Sequence, residues 1–427
     1  MTHSLFVRSL FCACLLTFSL VGLVRADNWP QWRGPNGDGI SVETNLPTRW
    51  STTENVAWSL PLPGMGGSTP IVWGERIFLT SADSKDDLWL LCISTAGKEL
   101  WRRRLGNVRF HTFNNEGNGA SASPSTDGKH VWAFVGSGDF ACFDFDGKEV
   151  WKFNAQERYG KFQIQFGMHT TPVLYGERLY LQLLHSGGAW VIALDKNSGA
   201  TVWQVARKSD GVFECEHSYA SPVIWRNGDK AYLITHGCDY AIAHRLEDGA
   251  EIWRLGDLNP KDHYNKTLRF VASPVATADL IVVPTAKNGP VVGVKPSAVG
   301  LIRAGSPGEQ WRRAKNTPDV PSPLVHDGLV YLCREDGTLL CLDAKTGAEQ
   351  YMESLHKQRY RASPVYGDGK IYLTARDGVV SVVKAGRKFE LLAANRINDD
   401  ITASPVIAHG RIYLRGFKAL YALERRK

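Results

Sequence analysis

Several patterns that would point directly to a class of enzyme or binding protein are missing from this sequence. It has no Cys-x-x-Cys-His segment for haem attachment, no cysteine and histidine spacing of a zinc site, and no Gly-x-Ser-x-Gly elbow of a serine hydrolase. It also lacks a strong excess of one charge, because 50 lysine and arginine residues stand against 43 acidic ones. This mild basic balance gives little support to nucleic-acid binding, so no nucleic-acid partner is predicted.

A membrane-spanning run is missing as well. The apolar stretch from Ser9 to Val24 is shorter than the ~20 residues that a span needs. Arg8 precedes it and small residues precede Asp27, so residues 1–26 are predicted to be a cleaved signal peptide of an exported protein, periplasmic or extracellular. An uncleaved membrane anchor is the alternative, and peripheral association with a membrane stays open.

What the sequence has is a repeat. Serine or threonine followed by proline and, in most copies, an aliphatic residue recurs eight times, with 41 to 54 residues between successive prolines. Periods of this length that carry several short strands are typical of propeller blades, because a four-stranded sheet buries both faces only when neighbours stack against it. The eight copies begin at Thr69, Ser123, Thr171, Ser221, Ser273, Ser322, Ser363 and Ser404.

A second signal recurs within each period. An apolar run is followed by a glycine turn and then by a large aromatic residue, which predicts a strand, a tight turn and a strand whose aromatic side chain wedges between sheets. The seventh copy is degenerate, and Phe389 is assigned to its aromatic position. The other aromatic positions are Trp101, Trp151, Trp203, Trp253, Trp311 and Tyr351.

The two ends of the chain are predicted to complete one blade. The last repeat has only three apolar runs, whereas Asn55 to Leu62 reads as an outer strand with Trp58 at the aromatic position. The predicted fold is therefore all-β, an eight-bladed propeller of four-stranded antiparallel blades closed by an N-terminal outer strand. Residues 27–66 would form an arm and the closing strand, and residues 67–427 the propeller.

The cysteines give only a weak signal. Cys92, Cys142 and Cys341 stand at the same phase of different repeats, so we expect buried small side chains there and not bridges. Cys215 and Cys238 lie within one repeat and could form a disulfide in an oxidising compartment.

Polar side chains gather in the connections just before the repeated prolines, and four of these connections are long: residues 105–122, 154–170, 206–220 and 255–272. In a closed ring these connections would meet at one mouth of the central channel, where a ligand or partner could bind. A polar, hydrated channel without a ligand would show the same residues. The candidates are His111, Asn114, Asn115, Glu116, Asn118, Gln165, His169, Glu216, His217, Arg269, Arg359, Arg361, Asp399 and Asp400.

The repeat resembles the pyrrolo-quinoline-quinone (PQQ) type of propeller repeat, whose tryptophan-docking motif is Ala-x-Asp-x-x-Thr-Gly-x-x-x-Trp. The segment ALDKNSGATVW matches it at Ala193, Asp195, Gly199 and Trp203. The resemblance covers nearly the whole chain after residue 26. It implies membership of a superfamily that includes quinoprotein alcohol dehydrogenases and non-catalytic propellers such as the scaffold lipoprotein of the outer-membrane β-barrel assembly machine.

This resemblance implies two functions. The first is a binding or scaffolding module that contacts a protein or small molecule at the loop-rich channel mouth. The alternative is a PQQ- and Ca²⁺-dependent dehydrogenase of an alcohol or sugar, with Glu116 and Asn118 as calcium ligands, Asp399 as base, and Arg269 or Arg361 facing the acidic quinone. The absence of a Cys-Cys dipeptide removes a mark of the methanol dehydrogenase branch, and the first function is favoured.

Overall fold

A computed structural model describes residues 28–108, 117–286 and 288–425. The predicted signal peptide lies outside these residues. Within them, no helix has the length and apolar character needed to cross a bilayer.

The described chain folds into eight sheets, each of which has four antiparallel blade strands, so the predicted eight-bladed propeller is confirmed. The strand that closes the ring is β1 (Val56–Pro61). Blade one consists of β2 (Ile71–Trp73), β3 (Arg76–Ala82), β4 (Asp87–Ser94) and β5 (Glu99–Asn107), and blade two of β6 (Ser125–Thr126), β7 (His130–Phe134), β8 (Asp139–Asp144) and β9 (Glu149–Asn154). Blade three consists of β10 (Val173–Tyr175), β11 (Arg178–His185), β12 (Gly188–Asp195) and β13 (Thr201–Ala206), and blade four of β14 (Val223–Asn227), β15 (Lys230–Gly237), β16 (Tyr240–His244) and β17 (Glu251–Leu255).

The second half of the ring is built in the same way, with one additional strand, β21. Blade five consists of β18 (Val275–Ala276), β19 (Ile281–Val283), β20 (Val291–Val294) and β22 (Glu309–Arg313), and β21 (Gly300–Ile302) lies between β20 and β22 in the chain but joins the sheet of blade four. Blade six consists of β23 (Leu324–His326), β24 (Leu329–Cys333), β25 (Thr338–Asp343) and β26 (Glu349–Ser354), and blade seven of β27 (Val365–Gly367), β28 (Lys370–Thr374), β29 (Val379–Lys384) and β30 (Leu391–Arg396). Blade eight consists of β31 (Val406–Ala408), β32 (Arg411–Arg415), β33 (Ala419–Glu424) and the closing strand β1. The short helices are α1 (Ala155–Tyr159) and two 3₁₀ turns, Phe213–Glu216 and Lys261–His263.

The ring closes through the N-terminal strand, as predicted. Strand β1 pairs antiparallel with β33, and Trp58 lies opposite Ala422. The eighth blade is thus made from both ends of the described chain, which removes the open sheet edge that an incomplete blade would leave.

The recurring serine and threonine residues form a closed ring of hydrogen bonds. The backbone N–H of each donates to the side-chain hydroxyl of the next, at 2.8 to 3.3 Å, and Ser404 returns to Thr69. All eight residues are buried. Because a buried N–H without an acceptor is costly, this contact gives a physical reason for a hydroxyl at every repeat.

The large aromatic residues lie between neighbouring blades. The indole N–H of Trp101 donates to the Phe145 carbonyl of the next blade at 2.9 Å, and Trp203 donates in the same way to Leu246 at 2.9 Å. Each aromatic lies opposite a small residue of its own sheet, as Trp101 lies opposite Cys92. These aromatic residues join neighbouring sheets by packing, and Trp101 and Trp203 add a hydrogen bond to the next sheet.

The assignment of Phe389 to the aromatic position of the seventh blade is wrong. Phe389 precedes β30, and the residue in register opposite Val382 is Ala393. The aromatic ring comes instead from the arm, where buried Trp50 stacks on Tyr372 of the same blade. Sequence spacing could not reveal this because Trp50 lies more than 300 residues earlier in the chain.

The arm crosses the ends of the innermost strands, on the face opposite their Ser/Thr-Pro starts. Trp29 forms an isolated β-bridge with Val72 of blade one, and Ile40 forms another with Tyr366 of blade seven. Between them, buried Arg33 reaches back to the start of the innermost strand of blade six, where its Nη2 donates to the carbonyl of Pro323 at 2.7 Å. The arm therefore covers this end of the channel.

One strand was not predicted. Residues between β20 and β22 form β21, which pairs in parallel with β17 and makes the fourth blade five-stranded. Leu301 in this strand is half exposed, whereas Ile302 is buried.

The six described cysteines are free and buried. Cys215 donates to the carbonyl of Asn265 and Cys238 to that of Glu216, so the suggested disulfide is not formed in this structure.

Candidate functional site

A pocket of about 1020 Å³ lies at the end of the channel where the innermost strands begin. All eight blades contribute to it, because the connection into each innermost strand reaches the same face. The residues that stand two positions before the serine or threonine of each repeat all line it: Gly67, Ser121, His169, Tyr219, Val271, Val320, Arg361 and Thr402.

This regular spacing is the signal that sequence reasoning did not use. The ring of serine and threonine hydrogen bonds sets each repeat at the same height in the channel, so equivalent positions form one layer. Of the eight residues in this layer, only His169 and Arg361 are among the sequence-predicted candidates. Tyr219 and the neighbouring Phe166 were missed, although both lie in the long connections.

One wall of the pocket is aromatic. The rings of Phe166 and Tyr219 are 5.9 Å apart in an edge-on arrangement, and His169 is 5.8 Å from Tyr219. The guanidinium of Arg269 lies 5.0 Å from the Phe166 ring centre and pairs with Glu214 at 3.1 Å. Burial raises the pKa of the Tyr219 hydroxyl, so it is a neutral hydrogen-bonding group at ordinary pH.

The opposite wall is ionic. Tyr360 is buried and forms an isolated β-bridge with Ala375. Because successive side chains of an extended backbone point to opposite sides, Arg359 and Arg361 are directed away from the core that holds Tyr360. Both arginines line the pocket. Arg361 pairs with Glu335 at 3.3 Å, and Lys357 also lines the pocket.

Asn118 lines the pocket, and its side-chain oxygen accepts a hydrogen bond from the Ala120 N–H at 2.9 Å. Four candidates lie outside the described residues: His111, Asn114, Asn115 and Glu116. Within the described chain, no group of three or more acidic, histidine or cysteine side chains is placed to hold a metal ion. Of the two predicted calcium ligands, the structure therefore describes Asn118 and not Glu116.

Glu216 and His217 are not among the lining residues. A ring nitrogen of His217 lies 3.0 Å from the Ser186 hydroxyl, and Nδ1 of His185 accepts from the Gly187 N–H at 3.1 Å. Burial lowers the pKa of His185 to about 4 and also lowers that of His217. The two imidazoles belong to a neighbouring contact between blades three and four.

Asp399 is buried and does not itself line the pocket, although it contacts the lining residue Phe417. Its carboxylate accepts hydrogen bonds from the backbone N–H groups of Phe417, Lys418 and Ala419 at 3.0 to 3.2 Å, and from the Tyr421 hydroxyl at 3.2 Å. This carboxylate holds the turn between β32 and β33. Its role as a catalytic base remains untested.

The closed ring of eight four-stranded blades is the fold that the PQQ-like repeat motif predicted. The chain belongs to the family described as outer membrane protein assembly factor BamB, which matches residues 86–352 and 308–427.

Solved structures agree at the level of the fold. BamB from Moraxella catarrhalis is 15% identical with a TM-score of 0.64, and the match covers 86% of this chain and 99% of that one. A europium-containing methanol dehydrogenase is 12% identical with a TM-score of 0.68, covering 92% and 90%. The quinohemoprotein alcohol dehydrogenase from Comamonas testosteroni is 13% identical with a TM-score of 0.69, covering 94% and 81%. No curated protein sequence gave a significant match.

Proposed function

We propose that this protein is an exported binding or scaffolding module whose mouth pocket receives a protein or small-molecule ligand. The observation that supports the proposal is the pocket itself, in which all eight repeats contribute one residue from the same position. The arm covers the opposite end of the channel, so a ligand would enter from the mouth. Export rests on the predicted signal peptide.

The family adds support for a protein partner. Its description names outer membrane protein assembly, an activity that requires contacts between proteins. The loops around the mouth carry exposed charged side chains, such as Lys357, and half-buried aromatic rings, such as Phe166, which is a suitable arrangement for selective binding.

Site-specific cross-linking can test the proposal. A photoreactive residue would replace Lys357, which is exposed at the mouth, and in a matched variant Lys345, which is exposed at a turn on the opposite face. In cells that make the full chain, we expect a discrete cross-linked product from position 357 and none from position 345. Equal labelling from both positions, or none from 357, would contradict a binding site at the mouth.

The quinoprotein alternative is supported by the similarity of the fold to two dehydrogenases. Its test is to titrate the purified protein with PQQ and Ca²⁺ and to follow dye reduction with an alcohol or sugar. Stoichiometric PQQ binding with substrate-dependent reduction would favour the enzyme, and the absence of PQQ binding would remove this alternative.

A further inference from the structure

The aromatic rings of the pocket come from well-separated parts of the chain. Phe166 and Tyr219 belong to the connections before blades three and four, and Phe417 belongs to a turn of blade eight. The Phe166 N–H lies 3.4 Å from the Tyr219 hydroxyl, and the Phe417 N–H is held by Asp399 at 3.1 Å. These rings therefore offer apolar surfaces whose backbone supports are already in place before a ligand binds.

Two of the basic side chains that line the pocket are paired with carboxylates. Arg269 pairs with Glu214, and Arg361 pairs with Glu335. Four basic and three acidic side chains line the described part of the pocket, so its net charge is small. A site built for a strong anion would instead show an excess of cations without nearby carboxylates.

Paired guanidinium and carboxylate groups provide fixed donors and acceptors side by side. A guanidinium can only donate and a carboxylate can only accept, whereas a hydroxyl does both. A ligand rich in hydroxyl groups can therefore satisfy both members of each pair without bringing a charge of its own. Its C–H surfaces can also pack on the aromatic rings between these pairs.

We propose that the mouth pocket binds a neutral oligosaccharide, with pyranose rings packed on Phe166 and Phe417 and hydroxyl groups bonded to the ion pairs of Arg361 and Arg269. The volume of about 1020 Å³ lies at the upper end of the ~300–1,000 Å³ range of ligand sites, so it suits several sugar rings better than one. This inference rests on the proposed binding function and specifies its ligand class.

The experiment is calorimetric titration of the folded protein with maltotriose, cellotriose and tri-N-acetylchitotriose. We expect at least one to bind, with a Kd that changes less than ~2-fold between about 0.05 and 0.5 M NaCl, because screening does not weaken binding of a neutral ligand. A Kd that rises ~10-fold or more over this range would show that binding depends on interactions that salt screens, and would overturn the inference that hydroxyl and ring contacts hold the sugar.

Two alanine variants locate the binding. Phe166→Ala removes a lining ring and is expected to raise the Kd of the bound trisaccharide by ~10-fold or more. Phe213→Ala removes an exposed ring in the same group of loops that does not line the pocket, and should leave the Kd unchanged. Equal effects of the two variants would place the sugar outside the pocket.

If none of the three trisaccharides binds to folded protein, the oligosaccharide inference is wrong. The cross-linking experiment at Lys357 separates this outcome from failure of the proposed function. A mouth-specific cross-link without sugar binding would leave the binding module in place and exclude only the ligand class.

Discussion

Trp50 of the N-terminal arm stacks on Tyr372 of the seventh blade, with ring centroids 6.4 Å apart and planes at 29°. The same segment is fixed by two hydrogen bonds, from the Trp50 N–H to the Asn395 side chain at 3.0 Å and from the Tyr372 hydroxyl to the Pro47 carbonyl at 3.2 Å. The arm thus supplies the aromatic ring that blade seven lacks at Ala393, and it contributes to the core between blades.

Replacing this ring should destabilise the whole propeller. Trp50→Ala leaves a cavity against Tyr372, and large-to-small changes of this kind cost about 3–5 kcal/mol. The midpoint of urea unfolding, followed by tryptophan fluorescence and circular dichroism, measures the loss. Val42→Ala in the same arm is the control, because Val42 is 75% exposed and should change the free energy of unfolding by less than ~0.5 kcal/mol. Similar midpoints for both variants would show that the arm is not part of the cooperative core.

Removing one hydroxyl acceptor from the closed ring of serine and threonine hydrogen bonds should destabilise the propeller. Thr69→Val keeps the shape of the side chain but removes the oxygen that accepts from the Ser404 N–H, and leaving a buried N–H unsatisfied costs about 1–3 kcal/mol. Thermal unfolding monitors this loss. Ser51→Ala provides a control at a half-buried serine outside the ring, whose hydroxyl serves a local turn. An unchanged midpoint in Thr69→Val would mean that ring closure does not depend on this bond.

Stability should fall as the pH is lowered below neutrality. Burial lowers the pKa of His236 to about 3 and those of His185 and His244 to about 4. Because these values lie below the ordinary value near 6.5, the unfolded chain binds more protons between about pH 6.5 and 4. The stabilisation is complete above about pH 6.5 and is lost as the pH falls through this range.

Substitution of one histidine can isolate this effect. His236→Gln introduces the residue found at the equivalent position of blade three, where Gln182 stands. This change should reduce the slope of the unfolding free energy against pH by up to ~1.4 kcal/mol per pH unit. Urea unfolding at a series of pH values gives the slope. The exposed His263 is the control, and His263→Gln should leave the slope unchanged. A slope in His236→Gln equal to that of the parent protein would contradict the assignment.

Asp399 should behave as a structural residue. Asp399→Asn replaces one acceptor oxygen by an amide that cannot accept from the N–H groups of Phe417 to Ala419, so a loss of about 1–3 kcal/mol is expected. Differential scanning calorimetry compares it with Asp400→Asn, in which the neighbouring exposed carboxylate is changed. An Asp399→Asn variant as stable as the parent protein would show that the turn does not depend on this carboxylate. The role of Asp399 as a catalytic base would then be the next to test.

Local patterns in the sequence were sufficient for the blades. The prolines mark where each innermost strand starts, and the glycine turns mark the hairpins, because both residue types restrict the backbone in the same way wherever they occur. The closing strand around Trp58 was also predictable, since the last repeat was one strand short. The candidate site was only partly predictable. His169, Arg269 and Arg361 line the pocket, whereas Glu216 and His217 face a neighbouring contact and Asp399 supports a turn.

The sequence by itself determined the number of blades and the order of strands within them, because these depend on turn chemistry and on apolar runs a few residues apart. Only the tertiary structure decided that Trp50 completes blade seven, that β21 joins blade four, and that the residues two positions before each serine or threonine share one pocket. These relationships join residues that are far apart in the chain, and they exist only once the ring has closed and brought all eight repeats to the same axis.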